Sequence, residues 1–193
     1  TVRRIFPEFA EKNFPTKTIT FVVTEQCNMR CTYCYQAGKN DNRMTKDVAF
    51  RAVDAILDKE KMEGYMDYEE TPGVILDFIG GEPLLEIELV DQIVDYFRWK
   101  AFELNHPWHK CYMVSFSSNG LLYFDENEQK FLEKNRGLVS LAITIDGNKE
   151  LHDACRFDIG GRGTYDRVVR AIRDMVEKRI LHSTKVTIAP GNV

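Results

Sequence analysis

Thr18-Ile19-Thr20-Phe21-Val22-Val23-Thr24 runs, with only Glu25 and Gln26 between, into Cys27-Asn28-Met29-Arg30-Cys31-Thr32-Tyr33-Cys34-Tyr35. The first part is short, β-branched and aromatic, and apolar on both faces toward its end, which predicts a buried parallel strand. The second part holds three of the chain's five cysteines. A thiolate is a soft ligand suited to zinc, copper(I) or an iron-sulfur cluster. Structural zinc normally takes four protein ligands, and an ordinary iron-sulfur cluster takes four cysteines. Three thiols on one loop therefore suggest a metal centre with one position left for a ligand that is not protein.

Further along, the pattern of a strand followed by a helix repeats. Thr45 predicts the cap of a helix through about Lys59, with Ala49, Ala52, Val53, Ile56 and Leu57 on one face. A second strand, Val74–Ile79, ends in Gly80-Gly81-Glu82-Pro83 and precedes a helix from about Glu86 to Leu104. A third, Tyr112–Phe116, ends in Ser117-Ser118-Asn119-Gly120. Asp125 with Glu128 predicts a capping box opening a helix to about Asn135. A fourth strand, Val139–Ile145, delivers Asp146-Gly147 and a loop carrying His152, Asp153 and Arg156. Thr164 predicts a cap for a helix through about Lys178, and a fifth strand is expected over Thr184–Ala189. Alternating strands and helices predict a parallel α/β sheet. Ligands of such sheets bind beyond the carboxyl ends of the strands, where the cysteine loop and all three polar turns fall.

Composition narrows the function classes. The 193 residues are 44% apolar, enough for one sizeable core, and the formal charge of -4 argues against a general nucleic-acid binder. No apolar run is long enough to span a bilayer and no secretion signal is visible. An odd cysteine count with three clustered suits a reducing compartment rather than a disulfide framework, so the expected location is the cytoplasm. Cys111 is read as a buried residue and Cys155 as a loop residue. The acidic stretch over residues 60–70 could hold a hard cation, but a helix end and solvated loop is the preferred reading. Residues 1–17 form an N-terminal lead-in without a clean period, and residues 18–193 the core domain.

Cys-x3-Cys-x2-Cys with Tyr33 before the last cysteine resembles the signature of radical S-adenosylmethionine (AdoMet) enzymes. The resemblance covers about Thr18 to Ala189 and implies a partial (β/α)6 TIM-like barrel, here apparently truncated after the fifth strand, without the sixth strand or a cysteine-rich extension for auxiliary clusters. It implies that Cys27, Cys31 and Cys34 hold a 4Fe-4S cluster whose fourth iron is chelated by AdoMet. Gly80, Gly81 and Glu82 would meet the AdoMet amine, Glu82 offering a carboxylate to the ammonium. Ser117 and Asn119 would serve the ribose or the carboxylate, and Tyr33 would lie by the adenine. The stretch from Asp146 through His152 and Asp153 to Arg156 resembles the peptide-modifying branch, and the planar fork of Arg156 suits the AdoMet carboxylate. The implied activity is reductive cleavage of AdoMet to a 5′-deoxyadenosyl radical, with an electron from flavodoxin or ferredoxin. The implied substrate is a peptide or protein, with thioether formation or side-chain oxidation as the outcome, and sulfatase maturation is the nearest alternative. A zinc-binding module, with His152 or Cys155 as fourth ligand, and a regulatory AdoMet-binding domain are the readings from other classes.

Overall fold

The structure is a computed structural model that describes residues 16–188 apart from residues 37, 39 and 69. Five strands, β1 (Thr16–Thr24), β2 (Gly73–Gly80), β3 (Tyr112–Ser118), β4 (Val139–Thr144) and β5 (Leu181–Lys185), form one sheet in sequence order. Every neighbouring pair is parallel. Between them lie α1 (Lys46–Leu57), α2 (Ile87–Glu103), α3 (Glu126–Lys134), α4 (Lys149–Cys155) and α5 (Tyr165–Glu177). This is the expected α/β architecture of a partial barrel.

One register line shows how the core is made. Phe21, Phe78, Phe116 and Leu141 pair in sequence across four strands. Their side chains share a face, because alternate residues of a strand point the same way. Phe21 stacks on Phe78 at 5.3 Å and Phe78 on Phe116 at 5.5 Å. The helices cover this face, with Val53 of α1, Val94 of α2, Phe131 of α3 and Val168 of α5 in the same buried cluster. Each buried aromatic side chain contributes on the order of 2–3 kcal/mol. The neighbouring register line, Thr20, Asp77, Ser115 and Ser140, faces the other way and is half-buried to exposed. The expectation that β1, apolar on both faces toward its end, is buried on both is thus corrected: Val22, on the second face, is 48% exposed.

Local chemistry explains most element ends. Thr45 caps α1 by accepting from Val48 N–H at 3.3 Å. The helix expected from Glu86 begins as a 3-10 turn, Pro83–Glu86, before α2. Asp125 caps α3 by accepting from Asn127 N–H at 3.0 Å, but Glu128 does not close a capping box: its carboxylate is buried and without a hydrogen-bond partner. The expected loop after Asp146 contains α4, capped by Asn148, whose side chain accepts from Leu151 N–H at 3.0 Å. Cys155 is consequently a buried helix residue rather than a loop residue, and Cys111 is buried as expected. Thr164 precedes α5 without capping it through its side chain. Asp153 Oδ1 accepts from Tyr165 N–H at 2.8 Å instead.

β5 starts three residues earlier than the sequence suggested, because pairing of Leu181 with Ser140 and of Lys185 with Thr144 sets its limits. The far end of the expected strand, Ala189, and most of the N-terminal lead-in lie outside the described residues. Among the described residues no helix is long and apolar enough to cross a membrane. None of the acidic residues at 60–70 joins a group able to hold a metal ion, Glu69 lying outside the described set.

Candidate functional site

At the carboxyl ends of the strands the chain encloses a cleft of about 410 Å³. Its walls include Cys27, Cys31, Tyr33 and Cys34 from the loop after β1, Gly80 and Gly81 after β2, Ser117 and Asn119 from β3 and its turn, and Arg156 after α4. Nine of the eleven residues singled out from the sequence thus line one space. The other two, Glu82 and Asp146, lie behind the walls, 1% and 2% exposed.

The cysteine loop is held from two sides. On one, Gly81 N–H donates to Thr24 C=O at 2.9 Å and Glu82 N–H to Gln26 C=O at 2.8 Å. A Cβ at Gly80 would lie 2.2 Å from Thr24 O, and one at Gly81 2.1 Å from Gln26 O. The glycine pair is therefore needed for backbone to approach backbone, which brings the second turn against the residues just before Cys27. On the other side the loop pairs with the chain that follows α4. Thr32 N–H donates to Cys155 C=O at 3.0 Å, Arg30 N–H to Phe157 C=O at 2.9 Å, and Ile159 N–H to Asn28 C=O at 3.2 Å. Met29 between the cysteines is fully buried and anchors this seam.

The Glu82 carboxylate is engaged by donors of the protein itself. Its Oε1 accepts from Ser118 Oγ at 2.8 Å and Leu84 N–H at 3.1 Å, and its Oε2 accepts from Asn119 N–H at 2.7 Å. The carboxylate locks the second and third turns together behind the cleft, and burial pushes its pKa up despite those donors. Ser117 accepts from Lys185 Nζ at 2.6 Å. Asn119 Nδ2 donates to Asn28 Oδ1 at 2.7 Å and reaches Cys27 Sγ at 3.9 Å.

Asp146, Tyr33 and Arg156 form one group. The Tyr33 hydroxyl donates to Asp146 Oδ2 and accepts from Arg156 Nη1 at 2.8 Å, while Asp146 Oδ1 accepts from Thr187 N–H at 2.8 Å. Burial, then the bond to Asp146, pushes the Tyr33 pKa up to about 12, so the phenol stays a donor. Burial works against the charge of Arg156, but Cys31, Tyr33 and Asp146 outweigh it and its pKa is raised. Arg156 Nε is buried and has no hydrogen-bond partner. A guanidinium held beside three thiols with a donor unmet suits an anionic ligand in the cleft.

Among the described residues no three His, Cys, Asp or Glu side chains converge on a single ion. A lone zinc would need its thiolates about 3.8 Å apart, from a zinc–sulfur bond of about 2.3 Å in a tetrahedron. Both ring nitrogens of His152 are also committed, to Asp146 N–H at 3.2 Å and Thr164 Oγ1 at 3.0 Å. The donor set fits a centre in which each thiol binds its own iron. Sequence reasoning missed Lys185, Thr187, Thr144 and Tyr35, which also line the cleft. Lys185 ends β5 and Thr187 follows it, so both sit at the rim rather than inside the strand expected over Thr184–Ala189. Tyr35 stood in the quoted loop and carried no signal beyond its position.

Comparison with known proteins identifies the family and the fold. Residues 21–192 match the Radical SAM superfamily. The cysteine-type anaerobic sulfatase-maturating enzyme of Clostridium perfringens is 35% identical over 146 residues, 75% of this chain and 36% of that protein. The Fe-coproporphyrin III synthase of Methanosarcina barkeri is 25% identical over 175 residues, 91% of this chain and 38% of that protein. The solved structure of native anSMEcpe with bound AdoMet and Kp18Cys peptide superposes with a TM-score of 0.68 at 25% identity, covering 88% of this chain and 43% of that one. The chain thus spans little more than a third of the length of these curated relatives. With the family matched over residues 21–192 and a parallel sheet like that of the solved relative, the chain belongs to the radical SAM superfamily, whose cofactors, a 4Fe-4S cluster and AdoMet, are its own.

Proposed function

We propose that this protein cleaves AdoMet reductively and uses the resulting radical to take a hydrogen from a peptide or protein. The observation that carries the reading is the cleft itself: Cys27, Cys31 and Cys34 share it with Arg156, whose buried Nε lacks a protein partner. Cys27, Cys31 and Cys34 would hold a 4Fe-4S cluster, which would supply one-electron reduction of the AdoMet sulfonium, with methionine as one product and a hydrogen-abstracting 5′-deoxyadenosyl radical as the other.

The chain's own residues bind, orient and exclude water. Each cysteine would ligate one iron. Arg156 receives the AdoMet carboxylate with the donors that Tyr33 leaves free. With the Glu82 carboxylate already accepting from Ser118, Leu84 and Asn119, the AdoMet ammonium is met by main-chain carbonyls of the Gly80-Gly81 turn. Ser117, with Lys185 behind it, and Asn119 serve the ribose or carboxylate, and the Tyr33 ring borders the adenine. Asp146 acts through Tyr33 rather than by touching the ligand. Reduced flavodoxin or ferredoxin supplies the electron.

A peptide substrate is favoured by the sulfatase-maturating relative and by the AdoMet and peptide complex of anSMEcpe. Sulfatase-type maturation is the closest specific alternative to thioether formation. The test is isotopic. Reduced, reconstituted protein is given AdoMet and cysteine- or serine-bearing peptides deuterated at the side-chain β carbon, chosen from genes encoded next to its own. Deuterium in 5′-deoxyadenosine and a mass change in the peptide support the reading. Turnover of AdoMet with unlabelled 5′-deoxyadenosine and unchanged peptide would sink the peptide assignment.

A further inference from the structure

His152 and Thr164 are fully buried, both 0% exposed, yet neither lines the cleft. We propose that both are positioning residues for the AdoMet-carboxylate end of the cleft, acting through a closed ring of hydrogen bonds that grips Arg156 at both its main chain and its side chain. The proposal rests on the reading of the cleft given above.

The ring runs in one direction. Asp146 N–H donates to His152 Nδ1 at 3.2 Å. A backbone amide can only donate, so Nδ1 carries no proton and the imidazole is the neutral Nε2–H tautomer. That Nε2–H faces Thr164 Oγ1 at 3.0 Å. The Thr164 hydroxyl, its lone pair used, donates onward to Arg156 C=O at 3.1 Å. Arg156 Nη1 donates to the Tyr33 hydroxyl at 2.8 Å. The Tyr33 hydroxyl donates to Asp146 Oδ2, in the residue where the ring began.

Five residues from four places in the sequence thus close one circuit. Hydrogen bonds that link buried groups in this way support one another and hold one geometry. Two consequences follow for the site. Arg156 is held by its carbonyl and by one terminal nitrogen, so its guanidinium is preorganised while Nε remains unmet. Tyr33, between Cys31 and Cys34, is fixed by the same circuit, which couples the cysteine loop to the end of β4. Thr164 is drawn into the ring instead of capping α5, which explains why Asp153 has taken over that cap.

Three variants and one spectrum test this. Thr164→Val keeps the side chain's shape and removes the hydroxyl, Thr164→Ser keeps the hydroxyl, and His152→Asn keeps an acceptor for Asp146 N–H but cannot reach Thr164. In reconstituted protein, iron content should stay at the parent level in all three, because no cysteine is touched. The Kd for AdoMet, read by calorimetry, should rise about ten-fold in Thr164→Val and His152→Asn and stay within about two-fold in Thr164→Ser, the size expected when one buried hydrogen bond is lost.

A merely structural pair would lower Tm while leaving that Kd unchanged, and such a result overturns the proposal. The second readout needs no cofactor. In 15N-labelled parent protein at pH 7, the ring nitrogens of His152, assigned by their disappearance in His152→Asn, should show the neutral Nε2–H pattern. An Nδ1–H or imidazolium pattern overturns the ring even if a variant fails to fold. If the parent protein does not bind AdoMet, the reading of the cleft fails, and the nitrogen pattern still decides the ring by itself.

Discussion

Replacing Glu128 by Gln should stabilise the protein, and by an amount that grows with pH. The Glu128 carboxylate is fully buried at the start of α3, neither oxygen has a hydrogen-bond partner, and its neighbours include the charges of Glu82 and Asp125. Burial first, and those two carboxylates after it, raise its pKa from 4.5 to about 8. A raised folded-state pKa means that the folded protein keeps this proton while the unfolded chain has lost it. Stability from this group is complete below pH 4.5, drains as pH rises from there, and is gone once pH has passed through about 8. At about 1.4 kcal/mol per pH unit, the ionisable carboxyl costs about 3 kcal/mol at pH 7 and about 5 kcal/mol above pH 8. Gln keeps the volume and the unmet polar atoms of the neutral acid but has no proton to lose. Urea denaturation of the cofactor-free protein at pH 5, 7 and 8.5 measures the effect. With a slope of about 2 kcal/mol/M, the midpoint of Glu128→Gln should exceed that of the parent by roughly 1.5 M at pH 7. The excess should be larger at pH 8.5 and small at pH 5. A difference that is the same at all three values, or a variant less stable than the parent at pH 8.5, would refute the reasoning.

Gly81→Ala would place a Cβ 2.1 Å from Gln26 O, so the cysteine loop must shift; thermal melts should show a loss of about 1–3 kcal/mol and iron content after reconstitution should fall. Tyr33→Phe strips a shared hydroxyl from Asp146 and Arg156 and should cost about 1–3 kcal/mol in denaturant titrations near neutral pH. Because burial and the Asp146 bond raise the Tyr33 pKa to about 12, the stability it gives is complete below pH 10 and lost only as pH rises through about 12, so the variant's deficit should hold constant between pH 7 and 9. Arg156→Lys retains the charge but loses the fork, and the Kd for AdoMet should rise ten-fold or more by calorimetry, with equal binding counting against the assignment.

Much of this arrangement could be read from the residues because local signals and tertiary structure agree. Strands Val74–Ile79 and Val139–Ile145 are apolar runs ended by glycine turns, and the polar turns fall after strands, which in a parallel sheet means one rim. What escaped the sequence was set by contacts distant in the chain. α4 is seven residues long, and its Asn148 cap looks like any loop asparagine until Leu151 N–H is seen to donate to it. β5 is bounded by its pairing with β4 rather than by its own β propensity, which is higher a few residues later. Glu128 carried the spacing of a capping box, yet packing turned its carboxylate inward.

Glu82 taught the same lesson at the site. Its place beside two glycines suggested a ligand contact; what the sequence did not show is that the glycines admit Thr24 and Gln26 and that the carboxylate braces the next turn. His152 and Arg156, which as loop residues would ordinarily be solvated, are buried because α4 folds them against the cysteine loop.

The central claim is that Cys27, Cys31 and Cys34 hold a cluster whose free position takes AdoMet. The most direct measurement is 5′-deoxyadenosine formed by the anaerobically reconstituted protein with AdoMet and dithionite, beside Cys31→Ala treated in the same way. The account predicts 5′-deoxyadenosine from the parent and none above background from the variant. A parent that holds one zinc and releases no 5′-deoxyadenosine, or a variant that releases as much as the parent, would contradict it.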